Sequence, residues 1–212
     1  MSQINFIELV ALMEIAVSSA IFLLWGLELI LGFSSPVWVR LICTFALANV
    51  LFWPLGMIGL PLELPLGGYI RAITGDLSTV SMLILWTGFF SFRDWSAPLS
   101  LKVSIFLGAA MFYPLSLGLG MVDPYSWGYA PSFLLIGVFL FALLAWAFSW
   151  YRGMWILALA VVAWAFNWHE SSNLWDYLFD PFLVLWAVWG IAYFMFRGRR
   201  ERMRSGYLFR AG

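Results

Sequence analysis

One repeated pattern constrains this chain more than any other. An apolar run approaching the ~20 residues a helix needs to cross a bilayer is followed by a short stretch of turn and charged residues, and then another run begins. Seven such runs can be read, over 9–33, 37–60, 77–92, 103–122, 132–151, 154–168 and 181–196. A water-soluble fold could not hide them. The chain is 64% hydrophobic and 10% charged, whereas soluble domains carry about 45–50% apolar and about 25% charged residues, and roughly half of any folded surface is already apolar. With lipid as the solvent the conflict disappears. The expected fold is therefore all-α: a polytopic transmembrane helical bundle of about seven spans over 1–196, followed by a basic tail over 197–212.

The punctuation between runs is specific. Ser34-Ser35-Pro36 stops one helix and starts the next, since proline is tolerated in a first turn. Pro54 falls inside the second run and predicts a kink. Two prolines and two glycines in the stretch from Pro61 to Gly68 predict a loop or re-entrant turn. The third, sixth and seventh runs are short for a span. No internal repeat is visible, which argues against a transporter built from two matched halves. Nothing basic precedes the first run, where Glu8 and Glu14 stand instead, so no cleaved signal peptide is expected.

Orientation follows from lysine and arginine in short loops. With the carboxyl tail placed in the cytoplasm and seven spans counted back, the amino terminus lies outside. The inner side then holds Arg40, Arg93, Lys102, Arg152, Arg197, Arg199, Arg200, Arg202, Arg204 and Arg210, and the outer side holds Arg71 alone. Most acids fall outside: Glu63, Asp76, Asp123, Glu170, Asp176 and Asp180. Only Asp94 and Glu201 fall clearly inside. A bacterial inner (plasma) membrane is the expected location, with the arginine tail touching anionic headgroups.

Several function classes drop out. The formal net charge is zero, and no basic groove is interleaved with aromatics, so no nucleic acid partner is expected. Cys43 is the single cysteine, which excludes an intramolecular disulfide and a multi-cysteine zinc site. There is no phosphate-binding glycine loop, dinucleotide fingerprint or nucleophile elbow. One histidine cannot supply paired haem ligands, and no lysine lies mid-span for a retinal Schiff base. No cofactor is expected.

Two groups of residues remain as candidates for chemistry. Glu14, Ser18, Trp25 and Glu28 share one stripe of the first helix at 3.6 residues per turn. Carboxylates at such depth face a bundle interior or water and can bind a cation, a proton or a polar headgroup. They also serve simply to pack one helix on another. The second group is the polar loop over 167–180, with His169, Glu170, Trp175, Asp176 and Asp180. Carboxylates beside a histidine can act as acid and base or hold a divalent ion, and beside tryptophans they suit a polyhydroxylated ligand. Were the loop helical, Asp176 and Asp180 would share a face at i and i+4. The plainer roles are helix caps for the acids and an aromatic belt for the tryptophans. Asp76, after Gly75, and Asp123, before Pro124, likewise read as cap and turn residues.

Taken together, His169, Glu170, Asp176 and Asp123 are the catalytic candidates. Glu14, Glu28, Arg71, Asp76, Trp175 and Asp180 are the binding candidates. Arg71, as the lone outer cation, is predicted to pair with at least one outer acid. The expected function is a non-catalytic multi-pass subunit or binding protein, engaging a protein partner, a second copy or an envelope lipid or glycan at an acidic, Trp-rich outer face. A small intramembrane enzyme acting on a lipid-linked substrate is the alternative, and a proton- or cation-coupled transporter ranks third.

Overall fold

A computed structural model describes residues 6–54, 56, 64–90 and 97–208, with side chains through 196. Among the described residues every regular element is helical. These are α1 (Phe6–Leu31), α2 (Val37–Phe52), α3 (Leu66–Thr74), α4 (Thr79–Phe90), α5 (Leu99–Pro114), α6 (Ser132–Ala147), α7 (Tyr151–Ala165), α8 (Trp175–Leu178) and α9 (Pro181–Leu208). Three stretches, Phe6–Leu31, Leu99–Leu119 and Trp175–Phe196, are long and apolar enough to cross a membrane, and α2, α4, α6 and α7 are shorter apolar helices. Only 6% of the Leu99–Leu119 stretch is buried within the protein. Side chains such as Phe45, Phe133 and Leu140 stand exposed. Lipid accommodates such a surface and water does not, so the chain is an all-helical, membrane-associated protein.

The helices depart from the apolar runs where backbone chemistry overrides hydropathy. The second run does not kink at Pro54; it ends. Trp53 is extended (φ −85°, ψ 141°), because a residue preceding proline is crowded out of the helical region. The Pro61–Gly68 stretch is not wholly loop, since α3 opens at Leu66, directly after Pro65, and carries Gly67 and Gly68 in its first turn. Residues 57–63, including Glu63, lie outside the described set, as do Arg93, Asp94 and Arg210. Gly75 closes α3 at φ 73°, a conformation that costs glycine little. Asp76 therefore follows a helix end rather than capping the next helix directly. Helix α9 does not stop at the basic boundary; its backbone runs on through the arginine segment to Leu208.

The chain divides into two compact units. The first comprises Met1–Trp95 and Ser126–Phe179, and the second Ser96–Tyr125 and Asp180–Gly212. In the first unit α1 packs on α2, α3 and α4, and α7 packs on α4 and α6. Its contact surface sets the small residues Ala16, Ala20 and Ala48 beside Leu51; the alanines let helix backbones approach where lipid offers no hydrophobic drive. The buried residues of α1 all lie between Val10 and Ile21, so its polar stripe splits: Glu14 and Ser18 are covered, whereas Trp25 is 45% exposed.

At the far end of α1, ~21 Å from Glu14 by helical rise, Glu28 accepts from Arg40 Nη2 at 2.7 Å and from the Ser35 amide at 3.0 Å. Arg40 also donates to the Phe89 carbonyl at 2.6 Å. Glu28 is thus occupied in tying α1, α2 and α4 together. In the second unit α5 pairs with α9, and Asp180 caps α9 by accepting from the Leu183 amide at 2.7 Å.

Candidate functional site

The 167–180 loop supplies the most elaborate polar structure of the first unit. Its backbone cannot be helical throughout: α8 lasts four residues and Phe179 is extended (φ −148°, ψ 123°). Asp176 and Asp180 therefore do not share a helical face. The loop is instead folded by its own side chains. Ser171 donates to Asp176 at 2.5 Å and accepts from the Asn173 amide at 3.0 Å. Asn173, with no exposed surface, accepts from the Trp175 amide at 2.9 Å. The Tyr177 hydroxyl accepts from the His169 amide at 3.0 Å and donates to the Ser171 carbonyl at 3.0 Å. These bonds replace the ladder that a helix would have supplied, as a buried backbone requires.

Three further ties anchor this loop to the helices. The indole N–H of Trp168 donates to Glu14 of α1 in a short hydrogen bond, and that of Trp164 donates to the Ser172 carbonyl at 2.9 Å. Gly128 accepts from the Leu174 amide at 3.0 Å. The Gly128 contact is so close that a Cβ there would stand 1.6 Å from Asn173 Oδ1. Beneath the loop, Trp86 of α4 donates to Ser18 of α1 at 3.0 Å. A small cavity of about 10 Å³, lined by Glu14, Ser18 and Asp76 with apolar walls of Ala11, Ile15, Leu77 and Met82, lies at the lower limit of what holds one water.

His169 sits at the centre of this arrangement and is almost fully covered, at 4% exposure. Tyr177 stacks on its ring, centroids 4.6 Å apart and planes 11° from parallel. Its Nε2 is 3.2 Å from Glu14 Oε2. The two are close enough for a charge contact but out of line for a hydrogen bond, and Nε2 is buried with no hydrogen-bond partner. One face of the imidazole is covered by a phenol and one edge by a carboxylate.

Arg71 of α3 pairs with two acids, as its isolation among outer charges predicts. It donates to Asp76 at 2.5 and 2.8 Å and to Glu170 at 2.9 Å. The bond to Asp76, with the help of Glu170, raises the guanidinium's already high proton affinity against the opposing effect of burial, so its charge is permanent. The acids are 30% and 54% exposed, and water screens such pairs. A double-mutant cycle of Arg71→Gln with Asp76→Asn is expected to give a coupling of about 1 kcal/mol, and with Glu170→Gln about 0.5 kcal/mol or less, both shrinking in high salt. Zero coupling in both cycles would remove Arg71 as an organiser of this surface.

The predicted site residues thus separate. Glu14, Arg71, Asp76, His169, Glu170, Trp175 and Asp176 all belong to the first unit and gather on α1, α3 and the loop. Asp123 turns the chain within the second unit, accepting from the Tyr125 amide at 3.0 Å, and Asp180 caps a helix there. Tyr177, Asn173, Ser171 and Gly128 escaped the sequence reading. The run Ser171-Ser172-Asn173 carried a turn signal, but nothing local marks a tyrosine that folds back over a histidine. Among the described residues no group of three or more histidine, cysteine or acidic side chains is placed to hold a metal. No family model matches the chain, and neither does any curated protein or solved structure.

Proposed function

We propose that this protein is a seven-span plasma-membrane subunit or binding protein of bacterial type, amino terminus outside, whose outer face receives a partner protein or an envelope lipid or glycan. One observation carries the reading. The 167–180 loop encloses His169 between Tyr177 and Glu14, while aromatic rings on it and on the 125–129 turn tied to it through Gly128 face outward: Trp168, Trp127 and Tyr129 are 42%, 53% and 60% exposed. A general base must reach a substrate proton within hydrogen-bond distance, and a covered imidazole suits structure better than turnover. Aromatic rings on a pinned loop suit recognition, because little freedom is lost when they are covered. Glu28, engaged by Arg40, is a poor coupling site for a transporter.

The test uses the full-length protein in mild detergent. Trp127→Ala combined with Tyr129→Ala is expected to reduce a copurifying companion by roughly tenfold, the loss of one aromatic anchor's worth of binding or more. Glu170→Gln is expected to leave the companion in place. Retention of the companion by the aromatic double variant would reject the outer platform. A turnover activity abolished by Glu170→Gln in a folded protein would favour the lipid-linked enzyme instead.

Topology is tested separately. In a Cys43→Ser background, Ser172→Cys should react with a membrane-impermeant thiol reagent from outside, and Ser205→Cys only after the membrane is opened. Labelling of both from one side would reject the seven-span arrangement.

A further inference from the structure

The second unit holds a lysine seated against a glycine and an indole. Lys102, the chain's sole lysine, stands near the start of α5. Its stem lies in a notch that exists because residue 190 of α9 is glycine: a Cβ at Gly190 would meet Lys102 Cδ at 2.5 Å and Nζ at 2.6 Å. The ammonium is held 5.1 Å from the centre of the Trp186 ring. Among the described residues no carboxylate lies within ion-pair distance of it. Asp180 is committed to the α9 cap and lies at the other end of the helix pair, about 16 Å along α5 by helical rise.

Two features make this lysine costly as it stands. Pro98 begins α5 without any side-chain cap, so the first amides of the helix point outward and that end is electropositive. A lysine there has the wrong sign for its helix. It also lies within the apolar stretches of both helices, three residues from the start of Leu99–Leu119 and opposite Gly190, six residues before the end of Trp175–Phe196. An ionised side chain so placed normally has a partner and marks a site. The indole face offers part of the compensation, and an anion would supply the rest.

We propose that Lys102, seated in the Gly190 notch over Trp186, binds the phosphate of an anionic phospholipid headgroup. The ammonium supplies point-charge donors to the phosphate oxygens, the uncapped amino-terminal end of α5 adds a potential that favours an anion, and the exposed apolar side chains of α9, Leu185 and Trp189 among them, would meet the acyl chains. An anionic headgroup is preferred to a zwitterionic one because it carries no internal cation to compete with the lysine. The arginine segment of α9 attracts the same lipids less selectively and is left constant in the test.

The full chain is reconstituted into nanodiscs of mixed phosphatidylglycerol and phosphatidylcholine, and the lipids retained after detergent extraction are counted by native mass spectrometry. Phosphatidylglycerol is expected to be retained by the natural protein, and Lys102→Gln to lower its retention about fivefold, the magnitude of one basic side chain at an anionic surface. Lys102→Arg should keep most of it. Gly190→Ala tests position rather than charge: the new methyl displaces only the flexible lysine stem, so the helix pair stays folded, as circular dichroism would check, and retention should fall towards the Lys102→Gln level. Equal retention by Lys102→Gln and the natural protein would overturn the proposal. So would retention unaffected by Gly190→Ala, which would make Lys102 an unplaced surface charge. Displacement of the lipid by inorganic phosphate would assign the site to a free anion instead.

Discussion

Gly128→Ala is expected to destabilise the first unit by about 3 kcal/mol or more, and to release the 168–178 loop. The added methyl would fall 1.6 Å from Asn173 Oδ1, 2.6 Å from its Cγ and 2.9 Å from Trp175 Cδ1. Asn173 has nowhere to go, since it has no exposed surface and its oxygen accepts from the Trp175 amide. Overpacking of a filled site costs typically 1–3 kcal/mol, and eviction of Asn173 adds a buried amide without its acceptor. Thermal unfolding in mild detergent measures the stability loss. Thiol reactivity at Ser172→Cys, faster by an order of magnitude or more in the alanine variant, reports the loop itself. An alanine variant as stable and as slow to react as its parent would show that the loop does not depend on this contact. Because Trp127 and Tyr129 flank Gly128, the same variant should also weaken binding at the proposed aromatic platform.

Glu14→Ala is expected to cost about 3 kcal/mol, and Glu14→Gln about 1 kcal/mol or less. The alanine removes the acceptor of the Trp168 indole N–H and leaves His169 Nε2, already without a hydrogen bond, facing an apolar gap. Stranding a buried polar group costs about 1–3 kcal/mol. Glutamine keeps an oxygen for Trp168 and offers an amide N–H to the imidazole, so most of the contact survives without the charge. The ratio between the two variants is the informative quantity. A loss with glutamine as large as with alanine would mean that the charge on Glu14, rather than its hydrogen bonding, holds the loop to α1. Unfolding titrations in mixed micelles supply both numbers.

The two halves of the candidate site were unequally readable. Glu14 was visible as an acid on a helical stripe, and the 3.6-residue period correctly placed it beside Ser18. That same period put Glu28 on the stripe, and only the arrival of Arg40 and the Ser35 amide shows that this carboxylate is engaged within the protein. Arg71 could be expected to find an acid because it had no other cation to share the outer charges with. Which acids it chose, Asp76 and Glu170, separated by 99 residues in the latter pair, depended on α3, a short helix concealed behind two prolines and two glycines. Tyr177 and Asn173 were illegible for a related reason. Their roles come from hydrogen bonds within a non-repeating loop, and such bonds have no period to detect.

By itself the sequence determined the all-helical class and the membrane as solvent, because apolar runs of bilayer length leave few other ways to satisfy a backbone. It did not decide between a kink and a stop at Pro54: a proline in an apolar run permits either, and the structure shows α2 ending at Phe52. The tertiary structure alone decided that His169 is enclosed by Tyr177 and Glu14, that Gly128 is the seat of Asn173, and that Lys102 lies in the space left at Gly190. Each of these depends on the approach of segments distant along the chain to within a methyl group's width. Close packing, unlike hydropathy, is a property of pairs, and no single segment contains it.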